Sequence, residues 1–584
     1  MTASLLSKLQ GLVGFLYPDE DAEALSKRIF DVFFDDPAHL RDTPRYPDVQ
    51  GQWTQDDVLL ISYGHSIIDG THKPLDLLYD FLTRYLKPAF TGVHVLPFFP
   101  FSSDEGFSVT DYTSVNPVIG DWADINRIAS EFKLMSDLVL NHVSSQGAWF
   151  SAYVQGQSPY DRYFVEGDPN DDLSDVVRPR TSPLLREVET ANGVKHVWCT
   201  FSHDQVDVDF TNPEVLLEYL RITKLHIENG VRVIRLDAVA FLWKRVGTNC
   251  VHLPETHAII QLMRLLLDYH QESVVLLTET NVPNKENLSY FGMRNEAHSI
   301  YNFSLPPLLV HALLTGTSEY LNQWQMSMPP APLGCAYLNF SASHDGIGMR
   351  PAEGLLPPED IDLMLEKTKE FGGLINMRTM PDGSEKAYEL NITLFDMMKG
   401  EAAGDAHQFD RFMCSQTIVL ALEGIPAIYI HALLATPNDT EGVRKSGVNR
   451  AINRHRWNYP TLRAHLADPE SIHARNMTEL NRRCRIRRAQ KAFHPNATQF
   501  TMQLGDKIFG FWRQNLERDQ SIFAIHNISD QDVHIPARSL NLISGENWFD
   551  LLSGDIIEPL GQEIHFAPYQ CRWITNRIGD ADAL

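Results

Sequence analysis

A (β/α)8 TIM barrel, with a small domain inserted after its third strand and an antiparallel β-domain at its C-terminal end, is the α/β architecture that this sequence predicts. Three observations lead there. Apolar runs of strand length at 93–99, 134–142, 233–239, 274–280 and 338–345 are largely continuous rather than alternating, as in strands buried on both faces of a parallel sheet. Helical periodicity fills the spaces between such runs, for example over 215–229. From about residue 493 the pattern changes to short alternating segments parted by turn residues, which is how an antiparallel β-domain reads.

Taken in order, residues 1–50 form a helical appendage, with Leu5, Leu6, Leu9, Leu12 and Val13, then Ala24, Leu25, Ile29 and Phe33, at helical spacing. The barrel takes 51–143 and 201–492. It opens with a strand from Val58, a helix over about 75–85 and a strand at Val93, and runs on to Gly424-Ile-Pro-Ala-Ile-Tyr429. Residues 144–200 are polar and irregular, with Gly167-Asp-Pro-Asn-Asp-Asp among them. They are too many for a bare loop and are expected to be the inserted domain. Residues 493–584 hold the β segments 507–512, 521–526 and 565–573. At 584 residues, a large barrel plus smaller modules is the natural division.

A formal charge of -25 argues against general binding of nucleic acid or anionic membrane, so an anionic substrate must be met by a local group of Arg or Lys. Cys199, Cys250, Cys335, Cys414, Cys484 and Cys571 are scattered without CxxC spacing, which favours reduced thiols over a disulfide framework or a zinc site. With no signal-peptide pattern at the N-terminus and no membrane-length run, a cytoplasmic protein is expected. No Gly-rich phosphate loop and no convincing metal-ligand cluster is visible, so neither a nucleotide, a metal nor another cofactor is expected.

Strands of such a barrel deliver chemistry where they end. Asp237, Glu279 and Asp345 come from three separate runs, and three carboxylates at one mouth suit a glycosidic bond: a nucleophile, a proton donor and a charge stabiliser. A single Asp after a strand is ordinarily a cap or turn residue; the ordered set, with Arg235 two residues before Asp237 on the same face, is not. His142 follows Asp137 and Asn141 at the end of another run, which marks it as a site residue rather than a core histidine.

These segments resemble the α-amylase family of glycoside hydrolases and transferases over nearly all of 55–584. Within it they are most similar to the sucrose phosphorylase group. Six segments carry that closer likeness: Phe98-Phe-Pro-Phe-Ser-Ser-Asp104-Glu-Gly-Phe107, Arg178-Pro-Arg180, Phe201-Ser-His-Asp-Gln205, Leu305-Pro-Pro-Leu-Leu, Ser343-His-Asp-Gly-Ile-Gly348 and Asn449-Arg450-Ala-Ile-Asn-Arg454. The resemblance implies that Asp237 attacks the anomeric carbon of an α-glucosyl unit, Glu279 acts as acid and then base, and Asp345 stabilises the charged ring. It also implies that Arg235 holds Asp237, that His142 and His344 bond sugar hydroxyls, and that Asp104 with Arg450 clamps the far end of glucose beside Gln205. Phe107 and Phe201 are pocket walls or plain core; Arg180 meets phosphate or is a surface residue.

Phosphorylases of this kind pass glucose from a glucoside to inorganic phosphate and give α-glucose 1-phosphate. Two departures from sucrose phosphorylases bear on the acceptor: Phe241 stands where those enzymes usually carry a Tyr, and the loop after Gly348 is shorter. That loop and the segment 373–387 bring Arg350, Arg378 and Lys386, which are either an anion site or an ordinary solvated loop. These features, with the N-terminal appendage, are more similar to glucosylglycerate phosphorylases, and 2-O-α-glucosylglycerate is the expected substrate. Sucrose, sucrose 6'-phosphate and glucosylglycerol compete within the same chemistry. A hydrolase or transglucosidase, and a silent carbohydrate-binding protein, are the readings outside it.

Overall fold

The computed structural model describes residues 3–45, 52–380, 384–400, 404–540, 542–543, 547–558 and 563–577. The expected division between residues 50 and 51, and the chain past residue 577, lie outside them. Eight parallel strands close into a barrel in which neighbours in sequence are neighbours in space. They are β1 (Leu59–Ser62), β2 (Gly92–Val95), β3 (Lys133–Val139), β4 (Val231–Asp237), β5 (Val275–Thr278), β6 (Ser299–Tyr301), β7 (Ala336–Asn339) and β8 (Ile425–Tyr429). β8 pairs back onto β1, with Leu59 opposite Ala427. Inward side chains fill the barrel and outward ones meet the helices, which is why these strands carry no alternation.

Register places the chemistry. β3 and β4 set Asp137 opposite Arg235 and Val139 opposite Asp237. β4 and β5 set Leu236 opposite Thr278, one residue before Glu279. Asp237 and Glu279 therefore leave adjacent strands at the same rim.

Two excursions cover that rim. After β3, His142–Ser144 pairs antiparallel with Gln205–Asp207, and beyond this neck lies the hairpin Leu185–Thr190 with Gly193–Trp198. After β7, the segments Ile347–Gly348, Glu385–Asn391 and Leu374–Thr379 form a three-stranded antiparallel sheet where the sequence suggested only loops. Residues 381–383, within the expected acceptor segment, are outside the described residues.

The N-terminal helices α1 (Ala3–Leu16) and α2 (Ala22–Phe33) form a hairpin in which Asp21 caps α2 by accepting from the amides of Glu23 and Ala24. Leu5, Leu9, Val13 and Leu16 are buried where α1 packs on the helix Pro254–Asp268. Each such side chain contributes about 1.5–3 kcal/mol. α2 lies on the helix Pro213–Glu228. Between them Tyr17 donates to the Phe210 carbonyl and meets Trp243, so the appendage touches the loop that follows β4.

The C-terminal domain is built on a six-stranded antiparallel sheet. The stretch 565–573, read as one segment from the sequence, is the end of one strand (Glu563–Phe566) and the start of another (Cys571–Thr575). Pro568 and the left-handed Tyr569 (φ 54°) turn the chain between them. Two buried arginines clasp this domain to the barrel through main-chain carbonyls. Arg487 donates to Leu420, Gly424 and Phe493, and Arg513 to Ala421 and His494. Among the described residues no helix is long and apolar enough to cross a membrane.

Candidate active site

Arg235 organises the floor. Its Nη1 lies 2.5 Å from an oxygen of Asp137 and 2.5 Å from an oxygen of Asp237, and its Nη2 is 4.0 Å from Glu279. Asp137 is fully buried and takes a second bond from His94 (2.7 Å). Burial works against its charge, but His94 and Arg235 outweigh that and hold the Asp137 carboxyl below the usual carboxylate range. An ionised Asp137 in turn fixes the guanidinium that faces Asp237.

Burial, with Glu279 and Asp137 nearby, pushes the Asp237 carboxyl up to about 8, and burial raises Glu279 as well. The two carboxyls face one guanidinium, so their titrations are coupled. Asp237 has the close contact to Arg235, whereas Glu279 has the Ala238 amide (3.1 Å) and only the distant edge of that guanidinium. The closer cation therefore favours the charged form of Asp237 over that of Glu279. Ala238 presents that amide from a left-handed conformation (φ 53°), a strained turn next to Asp237.

Asp345 stands across the pocket. Arg450 Nη1 lies 2.7 Å from it, and Arg454 Nη2 and His344 Nε2 each 3.5 Å. Burial is outweighed by Arg450 and Arg454, so Asp345 titrates below its ordinary range. Arg450 is itself gripped from behind by the buried Glu389, 3.1 Å from its Nε. Glu389 also accepts the Gly346 amide (2.7 Å), and a side chain at Gly346 would strike the Leu390 carbonyl at 2.2 Å. Only glycine lets the Asp345 loop lie that close. Asp104 sits 3.9 Å from Arg450 and 3.5 Å from Arg454, so two arginines rather than one hold the expected clamp.

Aromatic walls enclose these groups. Phe107 stacks on His344 (4.9 Å between centroids, 6° between planes), and Phe201 meets Phe241 edge-on at 5.5 Å. Arg180 extends over Phe201 and Tyr388, 5.9 and 5.3 Å from their ring centres. The His142 Nε2 hydrogen goes to the Phe107 carbonyl (3.0 Å), and the Gln205 amide lies 3.1 Å from the same nitrogen. Burial lowers His142 to about 4 and, with Arg454 and Arg235, takes His344 well below its usual value, so both rings are neutral. Asp104, Glu105 and Gly106 all have positive φ, and a Cβ at Gly106 would lie 2.7 Å from the Pro97 carbonyl. Gly106→Ala is expected to cost about 1–3 kcal/mol and to raise KM for the glucoside roughly tenfold by displacing Asp104. Urea unfolding and steady-state kinetics on one preparation check both.

One pocket thus gathers Asp104, Phe107, His142, Arg180, Phe201, Gln205, Asp237, Glu279, His344, Asp345 and Arg450, with Arg235 directly beneath. Arg350, Arg378 and Lys386 do not line it. Arg350 is largely buried, 3.9 Å from Glu286; Arg378 pairs with Glu353 (2.6 Å); Lys386 is exposed opposite Arg378 in the hairpin. Of this hairpin Tyr388 lines the pocket, whereas Arg378 is buried against Glu353.

Sequence reasoning missed Tyr388, Glu389, Arg454 and the buried pair Asp207–Lys244 (2.9 Å). Lys244 also binds Asn141 (2.6 Å) and the Phe241 carbonyl, pinning the acceptor-side loop to the neck of the insert. A charge within an apolar stretch, as at Glu389 and Lys244, was the available signal.

The barrel and its pocket carboxylates define a class. The model of the Alpha-amylase catalytic domain matches residues 83–329. The chain is 40% identical to the glucosylglycerate phosphorylase of Allomeiothermus silvanus, covering 99% of this chain and 100% of that one. It is 41% identical to the glucosylglycerate phosphorylase of Spirochaeta thermophila, over 89% and 90%. The crystal structure of sucrose 6F-phosphate phosphorylase from Thermoanaerobacter thermosaccharolyticum shares the fold, at TM-score 0.71 and 24% identity over 88% of this chain and 98% of that one. The chain belongs to the α-amylase family, in the group that holds the glucosylglycerate and sucrose phosphorylases.

Proposed function

We propose that this chain is a retaining α-glucoside phosphorylase that converts 2-O-α-D-glucosylglycerate and inorganic phosphate into D-glycerate and α-D-glucose 1-phosphate. The observation that carries the chemistry is the shared floor of Asp237 and Glu279, 2.5 and 4.0 Å from Arg235, with burial raising both carboxyls. The substrate rests on the two glucosylglycerate phosphorylases to which the chain is about 40% identical.

Asp237 attacks the anomeric carbon while Glu279 protonates the glycosidic oxygen; the C–O bond breaks, glycerate leaves and a glucosyl ester forms. Phosphate then gives up a proton to Glu279 and displaces Asp237 from the opposite face. Two inversions retain the α configuration. Asp345, kept ionised by Arg450 and Arg454, faces the ring as positive charge develops. Phe107, His142, Phe201, Gln205 and His344 hold the sugar, and Asp104 with Arg450 holds its far end. The six unpaired thiols fit a reducing, cytoplasmic setting.

Glycerate leaves before phosphate enters, so one cation can serve both anions in turn. Arg180 is the cation of the four expected ones that lines the pocket. Arg350, outside the pocket lining, is held below its usual value by burial and by Arg378. Arg180→Gln is expected to lower kcat/KM for phosphate and, in reverse, for D-glycerate by about 10–100-fold each, with glucose release to water spared. A loss for phosphate alone would move the carboxylate to Arg350.

The reading as a whole is tested in the reverse direction. Purified chain with α-glucose 1-phosphate is offered D-glycerate, glycerol, D-fructose or fructose 6-phosphate, and phosphate release is followed. Release with D-glycerate is expected. Release with fructose alone would make the substrate sucrose, and release without acceptor would make the enzyme a hydrolase.

A further inference from the structure

We propose that Cys414 and Cys571 form a reversible thiol–disulfide site that reacts with hydrogen peroxide and ties the barrel to the C-terminal domain. The two lie 157 positions apart on different domains, yet both line one open cavity of about 680 Å³ between them. Cys414 sits on the helix Gln408–Ala421, with its Sγ 3.6 Å from the Asn527 carbonyl. Cys571 begins the strand Cys571–Thr575 and stands opposite His526, the residue before Asn527. Cys571 Sγ lies 3.8 Å from the Tyr569 carbonyl, and the two thiols are near enough to bias each other's ionisation. Arg483, bonded to Thr417 on the Cys414 helix and to Glu479 (2.7 Å), completes the group and lines the same cavity.

This arrangement separates the roles. Burial disfavours a thiolate at both sulfurs, but at Cys571 the neighbouring Cys414 thiol and the Arg483 guanidinium outweigh it, and that thiol falls below its ordinary value. Cys414 is raised by burial and by its neighbour. Burial, with Asp207, pushes Cys199 up to about 12, and burial takes Cys484 to about 12 as well. Cys571 is thus the nucleophile and Cys414 the resolving thiol.

The Cys571 thiolate attacks one peroxide oxygen; the O–O bond breaks, hydroxide leaves to become water, and the sulfur is oxidised to a sulfenic acid. Cys414 then attacks that sulfur, the S–O bond breaks, a second water leaves and the disulfide remains. Peroxide has taken two electrons, and a dithiol reductant returns them by exchange.

The experiment uses the full chain, reduced, desalted and treated with hydrogen peroxide, followed by alkylation and peptide mapping. A Cys414–Cys571 linked peptide lighter by two hydrogens is expected, with two of the six thiols lost and recovered by dithiothreitol. In Cys414→Ser, Cys571 should be trapped as a sulfenic acid by a dione probe; in Cys571→Ser, Cys414 should stay reduced. All six thiols surviving peroxide that oxidises free cysteine would overturn the proposal, and so would oxidation spread evenly over them. Because the wild-type map decides this, a serine variant that fails to fold leaves the test intact.

Discussion

Asp237→Asn is expected to lower kcat for phosphorolysis by about four orders of magnitude while leaving the fold intact. The amide keeps the size of the carboxylate and can still lie against Arg235, but it cannot form the glucosyl ester. KM should change little, since the walls and the Asp104 clamp are untouched. Unfolding midpoints should be equal or higher than in the wild type, because burial, with Glu279 and Asp137 beside it, pushes this carboxyl up to about 8 and the amide carries no charge to bury. Phosphate-dependent turnover within tenfold of the wild type would remove Asp237 from the nucleophile role. Collapse of the fold instead would mean that Arg235 needs both of its carboxylates, Asp137 and Asp237, to be buried at all.

The barrel was legible because its strands are buried on both faces and so announce themselves as apolar runs, each with its functional residue at the end. Asp237 and Glu279 stand within one position of the ends of β4 and β5, and the periodicity that defines the strand also locates them. The antiparallel sheet between β7 and β8 was less legible. Its strands are short, and one edge pairs through only Ile347 and Gly348. Tyr388 and Glu389 become site residues solely because that sheet folds over the mouth, a long-range event with no local signature. The cations drew attention by type: Arg350, Arg378 and Lys386 do not line the pocket, because the pairing that sets Arg378 opposite Lys386 and Arg378 against Glu353 cannot be read from composition. Contacts between distant segments were invisible for the same reason, whether Tyr17 against Trp243 or Cys414 against Cys571.

Glu279→Gln separates the two half-reactions. Loss of the proton donor should lower kcat on the natural glucoside by about 10²–10⁴-fold, because the departing alkoxide needs protonation. α-Glucosyl fluoride leaves without a proton, so its first step should survive and glucosylated enzyme should accumulate, visible by intact mass. Wild-type activity should fall as pH rises through the raised value of Glu279, and the variant should lose that basic limb. Stability carries the same sign. A carboxyl whose folded value lies above its unfolded value keeps a proton that the unfolded chain has released, so stability declines as pH climbs between the two. For Glu279 that decline begins near the ordinary 4.5 and runs upward, and with Asp237 it extends to about 8. The stability advantage of Glu279→Gln over the wild type should therefore be smallest near pH 4.5 and widen toward pH 8. A gap that narrowed with rising pH would mean Glu279 is ionised and stabilised in the folded chain, and the proton would then have to be placed on Asp237, leaving the nucleophile uncharged and the retaining mechanism without its first step.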